Sequence, residues 1–270
     1  MTIVIFDIDG VIRDVGGSYR RALADTVEHF TQGNYRPTPE EIDRLKSEGL
    51  WNNDWEASQE LIRRYFLAQK FAAQKLEFLG QKANQNSALN LPNYREIVQF
   101  FQCRYRGTDP HNWNGYICSE PLLLEPQYFE SLTRSHIKWG FFSGATRASA
   151  EFVIKQRLGL VSPVLVAMED APGKPDPTGL WQTLGQLNSD NLEPVIYVGD
   201  TVADMYTINN ARQQQPTSTF LGVGILPPHV QKTSESSQAY TEILKAAGAL
   251  LILANVQELT PDVIQNLSDV

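Results

Sequence analysis

Ile3-Val4-Ile5-Phe6-Asp7-Ile8-Asp9-Gly10 opens the chain with a short apolar run that ends in two carboxylates spaced two residues apart, with a glycine behind them. An unbroken apolar run of this length fits a strand buried on both faces. Crowding two carboxylates together costs free energy unless a cation or a shared proton compensates. Open α/β sheets place their ligands at the carboxyl ends of strands, so the pair marks a candidate metal and nucleophile site.

Further apolar runs of strand length follow at 137–142, 164–168, 194–198, 217–223 and 249–254. Helix-like segments alternate with them at 147–158, 177–187, 201–212 and 256–267. Buried runs alternating with helices predict βαβ units and a parallel sheet covered on both faces, an α/β fold. The stretch from Ser18 to about Arg106 reads as entirely helical. Within it, Thr38-Pro39-Glu40-Glu41 has the capping residue, first-turn proline and glutamate of a helix start. Leu61, Tyr65, Ala68, Ala72, Leu76 and Leu79 recur at spacings of three and four, the stripe of an amphipathic helix. Breaker-rich segments, Val15-Gly16-Gly17-Ser18 and Gly107-Thr108-Asp109-Pro110 through Asn114-Gly115, bound this block. The expected organisation is an α/β core, 1–14 and 119–270, interrupted by a helical insert at 15–118.

With 270 residues, 42% hydrophobic content and five tryptophans, the chain supplies a full core for one or two domains. A net charge of −8 with no compensating Lys/Arg cluster argues against nucleic-acid or anionic-membrane partners. Cys103 and Cys118 form no pairing motif and read as buried thiols of a reducing compartment. The N-terminus lacks a basic leader and no apolar run reaches membrane length, which points to a cytoplasmic protein, a monomer or homodimer.

Four polar clusters each follow an expected core strand: Asp7-Ile8-Asp9-Gly10, Ser143-Gly144-Ala145-Thr146, Gly173-Lys174-Pro175-Asp176-Pro177 and Gly199-Asp200-Thr201-Val202-Ala203-Asp204. The second offers a hydroxyl and backbone N–H groups to an anionic oxygen. The third fixes one lysine in a rigid loop, and the fourth adds two acids. Hard oxygen ligands of this kind suit Mg²⁺, which takes one or two carboxylates, waters and substrate phosphate. The four histidines show no metal-ligand spacing, and no GxSxG element is present.

In order and spacing, DIDGV, SGAT, GKPDP and GDTVAD resemble the four motifs of the haloacid dehalogenase-like superfamily, subfamily IA, with a Rossmann-like core and a helical type C1 cap. The resemblance implies that Asp7 is the nucleophile, forming an aspartyl-phosphate, and that Asp9 is the general acid/base. Ser143 and the Gly144 amide would bind the phosphoryl oxygens with Lys174, which also neutralises the nucleophile. Mg²⁺ would be held by Asp7, Asp200 and the backbone carbonyl of Asp9, with Asp204 an outer ligand or the support of Lys174. An aspartate at position 9 separates phosphate-ester chemistry from the dehalogenase and phosphonatase branches, which keep no acid/base aspartate there. The implied activity is Mg²⁺-dependent hydrolysis of a small phosphorylated metabolite. A phosphomutase or phosphotransferase would use the same aspartate pair, whereas a catalytically silent binding protein of this fold would have lost one of Asp7, Asp9, Lys174 or Asp200.

Inside the insert, Gly49-Leu50-Trp51-Asn52-Asn53-Asp54-Trp55 is rich in donors, acceptors and aromatic faces and lies between two expected helices. Asn52, Asn53, Asp54 and Trp55 are candidate substrate contacts, with core packing as the alternative for the tryptophans. Arg13 and Arg20 are candidates to meet an anionic substrate, a surface ion pair being the alternative for Arg13. The segment 232–237 reads as an exposed loop.

Overall fold

The computed structural model describes residues 1–46, 48, 50–51, 53–78, 91–189 and 193–269. Its centre is a six-stranded sheet, β1 (Ile3–Phe6), β2 (Lys138–Phe142), β3 (Leu165–Val166), β4 (Val195–Gly199), β5 (Phe220–Ile225) and β6 (Leu251–Leu253). The strand order is β3-β2-β1-β4-β5-β6 and every pairing is parallel. β1 therefore lies between β2 and β4, where the winding reverses direction, and such a switch point opens a crevice at the strands' carboxyl ends. Its four residues are all buried, as the unbroken apolar run requires.

The chain forms two compact units, 1–14 with 121–270, and 15–120. The second unit is helical: α1 (Tyr19–Phe30), α2 (Pro39–Lys46), α3 (Asp54–Phe78) and α4 (Tyr94–Tyr105), closed by a 3-10 turn at Tyr116–Ser119. At the start of α2, the Glu41 amide donates to Thr38 Oγ1 (3.3 Å) and the Thr38 amide to the Glu41 carboxylate (2.8 Å), a reciprocal capping box. The stripe on α3 is buried only in its first half. Leu61 is 5% exposed, but Ala68 and Ala72 are exposed. Leu76 and Leu79 lie outside the described side chains. Asp25 ties the unit together: Arg36 Nη1 (2.8 Å), Arg104 Nε (2.9 Å) and the Tyr116 hydroxyl (2.5 Å) all donate to its carboxylate. Burial works against the Asp25 charge, but these donors hold its pKa below the usual carboxylate value. Both cysteines are exposed, not buried; Cys103 stands on α4 and Cys118 in the 3-10 turn, where its Sγ donates to Trp113 O (3.0 Å).

In the first unit α5 (Gln127–Arg134), α6 (Arg147–Glu151), α7 (Thr178–Gln186), α8 (Val202–Gln214), α9 (Ser234–Ala246) and α10 (Pro261–Ser268) surround the sheet. The helix expected over 256–267 is divided. A 3-10 turn spans Val256–Glu258, and α10 restarts at Thr260, whose Oγ1 accepts from the Val263 amide (3.3 Å). Pro261 forces the break, since proline suits a first helical turn and not an interior. The expected loop at 232–237 is instead the start of α9, where Thr233 Oγ1 accepts from the Ser236 amide (3.1 Å). Serine and threonine look loop-like in sequence because they compete with helical bonding, yet they are strong caps.

One face of the sheet carries an aromatic cluster. Phe129 of α5, 1% exposed, meets Phe6 at 5.6 Å, Phe141 at 5.5 Å and Trp139 at 4.6 Å between ring centroids. Truncating it to alanine leaves a cavity that rigid neighbours cannot fill. Phe129→Ala is expected to lose ~3–5 kcal/mol of stability. The loss would show as a lower urea midpoint with an unchanged slope, and a shift below ~1 kcal/mol would mean that the cluster is not packed as described.

Candidate active site

The register of the sheet brings the motifs together. Phe6 of β1 pairs with Phe141 on one side and Val198 on the other, so Asp7 follows β1 level with Phe142 and Gly199. Ser143 and Asp200 come next along the flanking strands. The Asp7 amide donates to Val198 O (2.8 Å) and the Ser143 amide to Val166 O (3.0 Å), which continue the ladders up to the site.

Lys174 lies at the centre. Its ammonium is 2.6 Å from Asp204 Oδ1 and 3.0 Å from Asp7 Oδ1, and its side chain is 10% exposed. The rings of Phe142 and Tyr197 wall it in, with centroids at 5.3 and 5.4 Å. The Lys174 loop is held by Asn210, whose Nδ2 donates to Pro175 O (3.0 Å). Burial alone would lower the Lys174 pKa, but Asp204 and Asp7 outweigh it and hold the amine charged, well above its usual range.

Asp204 has no oxygen to spare. Oδ1 takes Lys174 and lies 3.2 Å from the Tyr197 hydroxyl; Oδ2 accepts from the Thr201 amide (3.0 Å) and hydroxyl (2.6 Å). Gly199 permits this packing, since a Cβ there would stand 2.3 Å from Asp204 Cβ. Asp204 therefore supports Lys174 and the turn before α8. Asp7 is the opposite case. Despite the nearby ammonium, its buried Oδ1 has no hydrogen bond. Burial pushes the Asp7 carboxyl up to about 7; Lys174 pulls it down, while Asp204 and Asp9 add repulsion. Asp200 is raised well above its usual range by burial, then by Asp204 and Asp7.

Asp7, Asp200 and Asp204 each bring one oxygen to within 4.8 Å of the others. Three buried carboxylates face one ammonium, which leaves the cluster short of positive charge. A hard divalent cation fits this donor set, with Asp7 and Asp200 as its carboxylates, because Asp204 is already saturated. Gly10 makes the close approach possible: at φ +73° it is left-handed, and a Cβ there would fall 1.9 Å from Asp200 Oδ2.

A family model for haloacid dehalogenase-like hydrolases matches residues 1–212. The chain belongs to this family. The chain is 27% identical over 255 residues to an imidazoleglycerol-phosphate dehydratase of Phytophthora nicotianae, covering 93% of this chain and 49% of that protein. It is 33% identical over 149 residues to a phosphonoacetaldehyde hydrolase of Latilactobacillus sakei subsp. sakei, covering 52% of this chain and 56% of that one. The chain thus spans about half the length of the curated relatives it matches. In fold it is similar to phosphatase Tt82 from Thermococcus thioreducens, with a TM-score of 0.64 and 24% identity over 89% of this chain and 99% of that one. Among the described residues no helix is long and apolar enough to cross a membrane.

Other site residues expected from sequence fall as follows. Ser143 is 1% exposed and its Oγ accepts from the Ala145 amide (3.2 Å), while Gly144 faces open space. Arg13 forms the ion pair weighed as its alternative, with Asp9, but the pair is not on the surface: Arg13 is fully buried. Arg20 is paired with Asp43. In the helical unit Asn53 Oδ1 caps α3 by accepting from the Trp55 amide (2.9 Å), Asp54 lies 2.8 Å from Lys46 Nζ, and Trp55 is half-buried. Asn52 lies outside the described residues. Sequence reasoning missed Tyr197 and Tyr240, whose hydroxyl donates to Asp200 O (2.9 Å) from α9. The one signal for Tyr197 was an aromatic hydroxyl within an otherwise aliphatic buried strand.

The crowded carboxylates carry a stability consequence. The Asp7 value of about 7 in the fold exceeds that of an unfolded chain, roughly 3.9, so the folded chain binds the extra proton between the two. That contribution is fully present below about pH 4 and is lost as the pH rises through about 7. In EDTA, the melting temperature of Asp7→Asn relative to wild type is expected to climb from about pH 4.5 to about pH 7.5. Parallel melting curves across that range would contradict the account of crowding.

Proposed function

We propose that this hydrolase is a Mg²⁺-dependent phosphatase of a small phosphorylated metabolite, a phosphomonoester. The observation that carries the reading is the Asp7 carboxylate: buried at the end of β1, with Oδ1 3.0 Å from the Lys174 ammonium and an oxygen within 4.8 Å of one from Asp200. A carboxylate held out of bulk water with few hydrogen bonds is a better nucleophile than a solvated one. Its attack on phosphorus forms an aspartyl-phosphate as the phosphorus–oxygen bond to the leaving alcohol breaks. Asp9 delivers a proton to that alcohol and then takes one from the water that hydrolyses the intermediate. Lys174 balances the charge on the nucleophile and the phosphoryl oxygens, and the Ser143 hydroxyl and Gly144 amide bind those oxygens. Mg²⁺ would be held by Asp7, Asp200 and the carbonyl of Asp9, and it would neutralise phosphoryl charge.

Asp9 favours this reading over phosphonate chemistry, because cleavage of a phosphate ester needs a proton for its alkoxide. The presence of all of Asp7, Asp9, Lys174 and Asp200 favours an enzyme over a silent scaffold. A relative named for an imidazoleglycerol phosphate places an imidazole-bearing phosphoalcohol such as histidinol phosphate on the panel of substrates, beside phosphoglycolate, a sugar phosphate and a nucleoside monophosphate.

The test is release of inorganic phosphate from an aryl phosphate and from that panel. Turnover is expected with Mg²⁺, not with EDTA, and Asp7→Asn should lower kcat by on the order of 10³-fold or more. No metal-dependent turnover by the wild type, or none lost in Asp7→Asn, would overturn the phosphatase reading.

A further inference from the structure

Arg13 carries the feature that the catalytic motifs leave unexplained. Its side chain is 0% exposed, yet it is a permanently charged group. A buried guanidinium is tolerated only where a carboxylate and good hydrogen bonds compensate for lost solvation. Asp9 is one such compensating group. Arg13 Nε donates to Asp9 Oδ1 at 2.7 Å, and Nη2 lies 2.6 Å from the same oxygen. No hydrogen bond from the described residues reaches Oδ2, and the Asp9 side chain stays 27% exposed. The two oxygens of the acid/base are therefore unequal.

The backbone fixes this arrangement. The Ile12 amide donates to Ile8 O (2.8 Å), the Arg13 amide to the same carbonyl (3.2 Å), and the Gly10 amide back to Arg13 O (2.9 Å). This tight turn returns Arg13 beside Asp9 as a bridge partner. Arg13 is also pinned from its other side, where it pairs antiparallel with Leu122 and the Leu123 amide donates to Ile12 O (2.8 Å). A side chain anchored at both edges of its backbone is a rigid support for a carboxylate that would otherwise rotate.

We infer that Arg13 is the positioning residue of the acid/base: by holding Oδ1 it assigns proton transfer to Oδ2. The inference rests on the phosphatase reading. Oδ1 accepts from Nε and lies against Nη2, which leaves Oδ2 as the oxygen through which the acid/base exchanges its proton. In the first step Oδ2 gives that proton to the alcohol oxygen, which receives the electron pair of the breaking phosphorus–oxygen bond. Asp9 is left a carboxylate. In the second step Oδ2 takes a proton from the water that bonds to phosphorus, the Asp7–phosphorus bond breaks and its electron pair returns to Asp7. Arg13 gains and loses nothing.

A misplaced acid is felt in proportion to how much the leaving group needs it. Arg13→Lys and Arg13→Gln are compared with wild type and Asp9→Asn on aryl phosphates from 2,4-dinitrophenyl to phenyl, reading kcat/KM, which reports the steps up to alcohol release. The Arg13 variants are expected to lose ~10- to 10²-fold on phenyl phosphate, part of the 10²–10⁴ that general acid catalysis supplies. They should lose little on 2,4-dinitrophenyl phosphate, and add no further loss in an Asp9→Asn background. Losses equal across all leaving groups, or additive with Asp9→Asn, would overturn the inference and leave Arg13 a structural residue. If neither variant folds, a wild-type crystal structure with Mg²⁺ and fluoroaluminate decides: Arg13 on Oδ1 and Oδ2 toward the anion supports it, and the reverse overturns it. A wild type inactive on every aryl phosphate would instead bring down the phosphatase reading on which the inference stands.

Discussion

The ammonium of Lys174, 10% exposed and set between Asp7 and Asp204, is the interaction on which the site depends. One cation cannot satisfy three buried carboxylates. Its shorter contact, 2.6 Å, goes to Asp204, which is saturated, and its longer one, 3.0 Å, to Asp7 Oδ1, which has no hydrogen bond. The imbalance makes Asp7 and Asp200 hard to ionise together and gives a hard cation or a phosphoryl group a place to discharge it. Folding alone does not relieve this strain. On the proposed function a phosphoryl group and its cation would relieve it, so that energy stored in the free site would return as binding where charge is transferred.

The sheet exists, for this purpose, to bring four strand ends together. β1 in the middle of a parallel sheet puts Asp7 between the ends of β2 and β4 at the switch point, and the loop after β3 brings Lys174 in from the side. Gly10 and Gly199 then let Asp200 and Asp204 approach closer than any side chain at those positions would allow. The helices that had no catalytic motif still serve the site: α9 steadies Asp200 through Tyr240, and α8 holds the Lys174 loop through Asn210.

Most of the core was legible because its signals are local. Buried parallel strands read as unbroken apolar runs, and three of the four motifs sit directly at their ends, the Lys174 motif following β3 after a loop. Where the reading failed, the deciding interaction was distant or concealed by residue type. The Thr233–Ser237 segment looked like a loop because its residues are polar, and their role as caps depends on the helix that follows. Pro261 divided a helix that periodicity alone would continue. Arg13 looked like a substrate contact because arginines seldom hide, and only the turn at Gly10 shows that it points back to Asp9. Tyr197 is indistinguishable in sequence from any core aromatic until its hydroxyl is found near Asp204. In the helical unit, where the substrate-facing residues were sought, Asn53 and Asp54 have local partners that sequence spacing does not display.

The central claim is that Asp7 is the nucleophile this charge balance prepares. It is tested most directly by quenching the enzyme in acid during turnover of an aryl phosphate with Mg²⁺ and mapping the phosphoryl group by mass spectrometry. The expected result is a phosphoryl group on the peptide containing Asp7, absent from Asp7→Asn. Steady turnover with no phosphorylated enzyme at any quench time, or with the group on another residue, would contradict it.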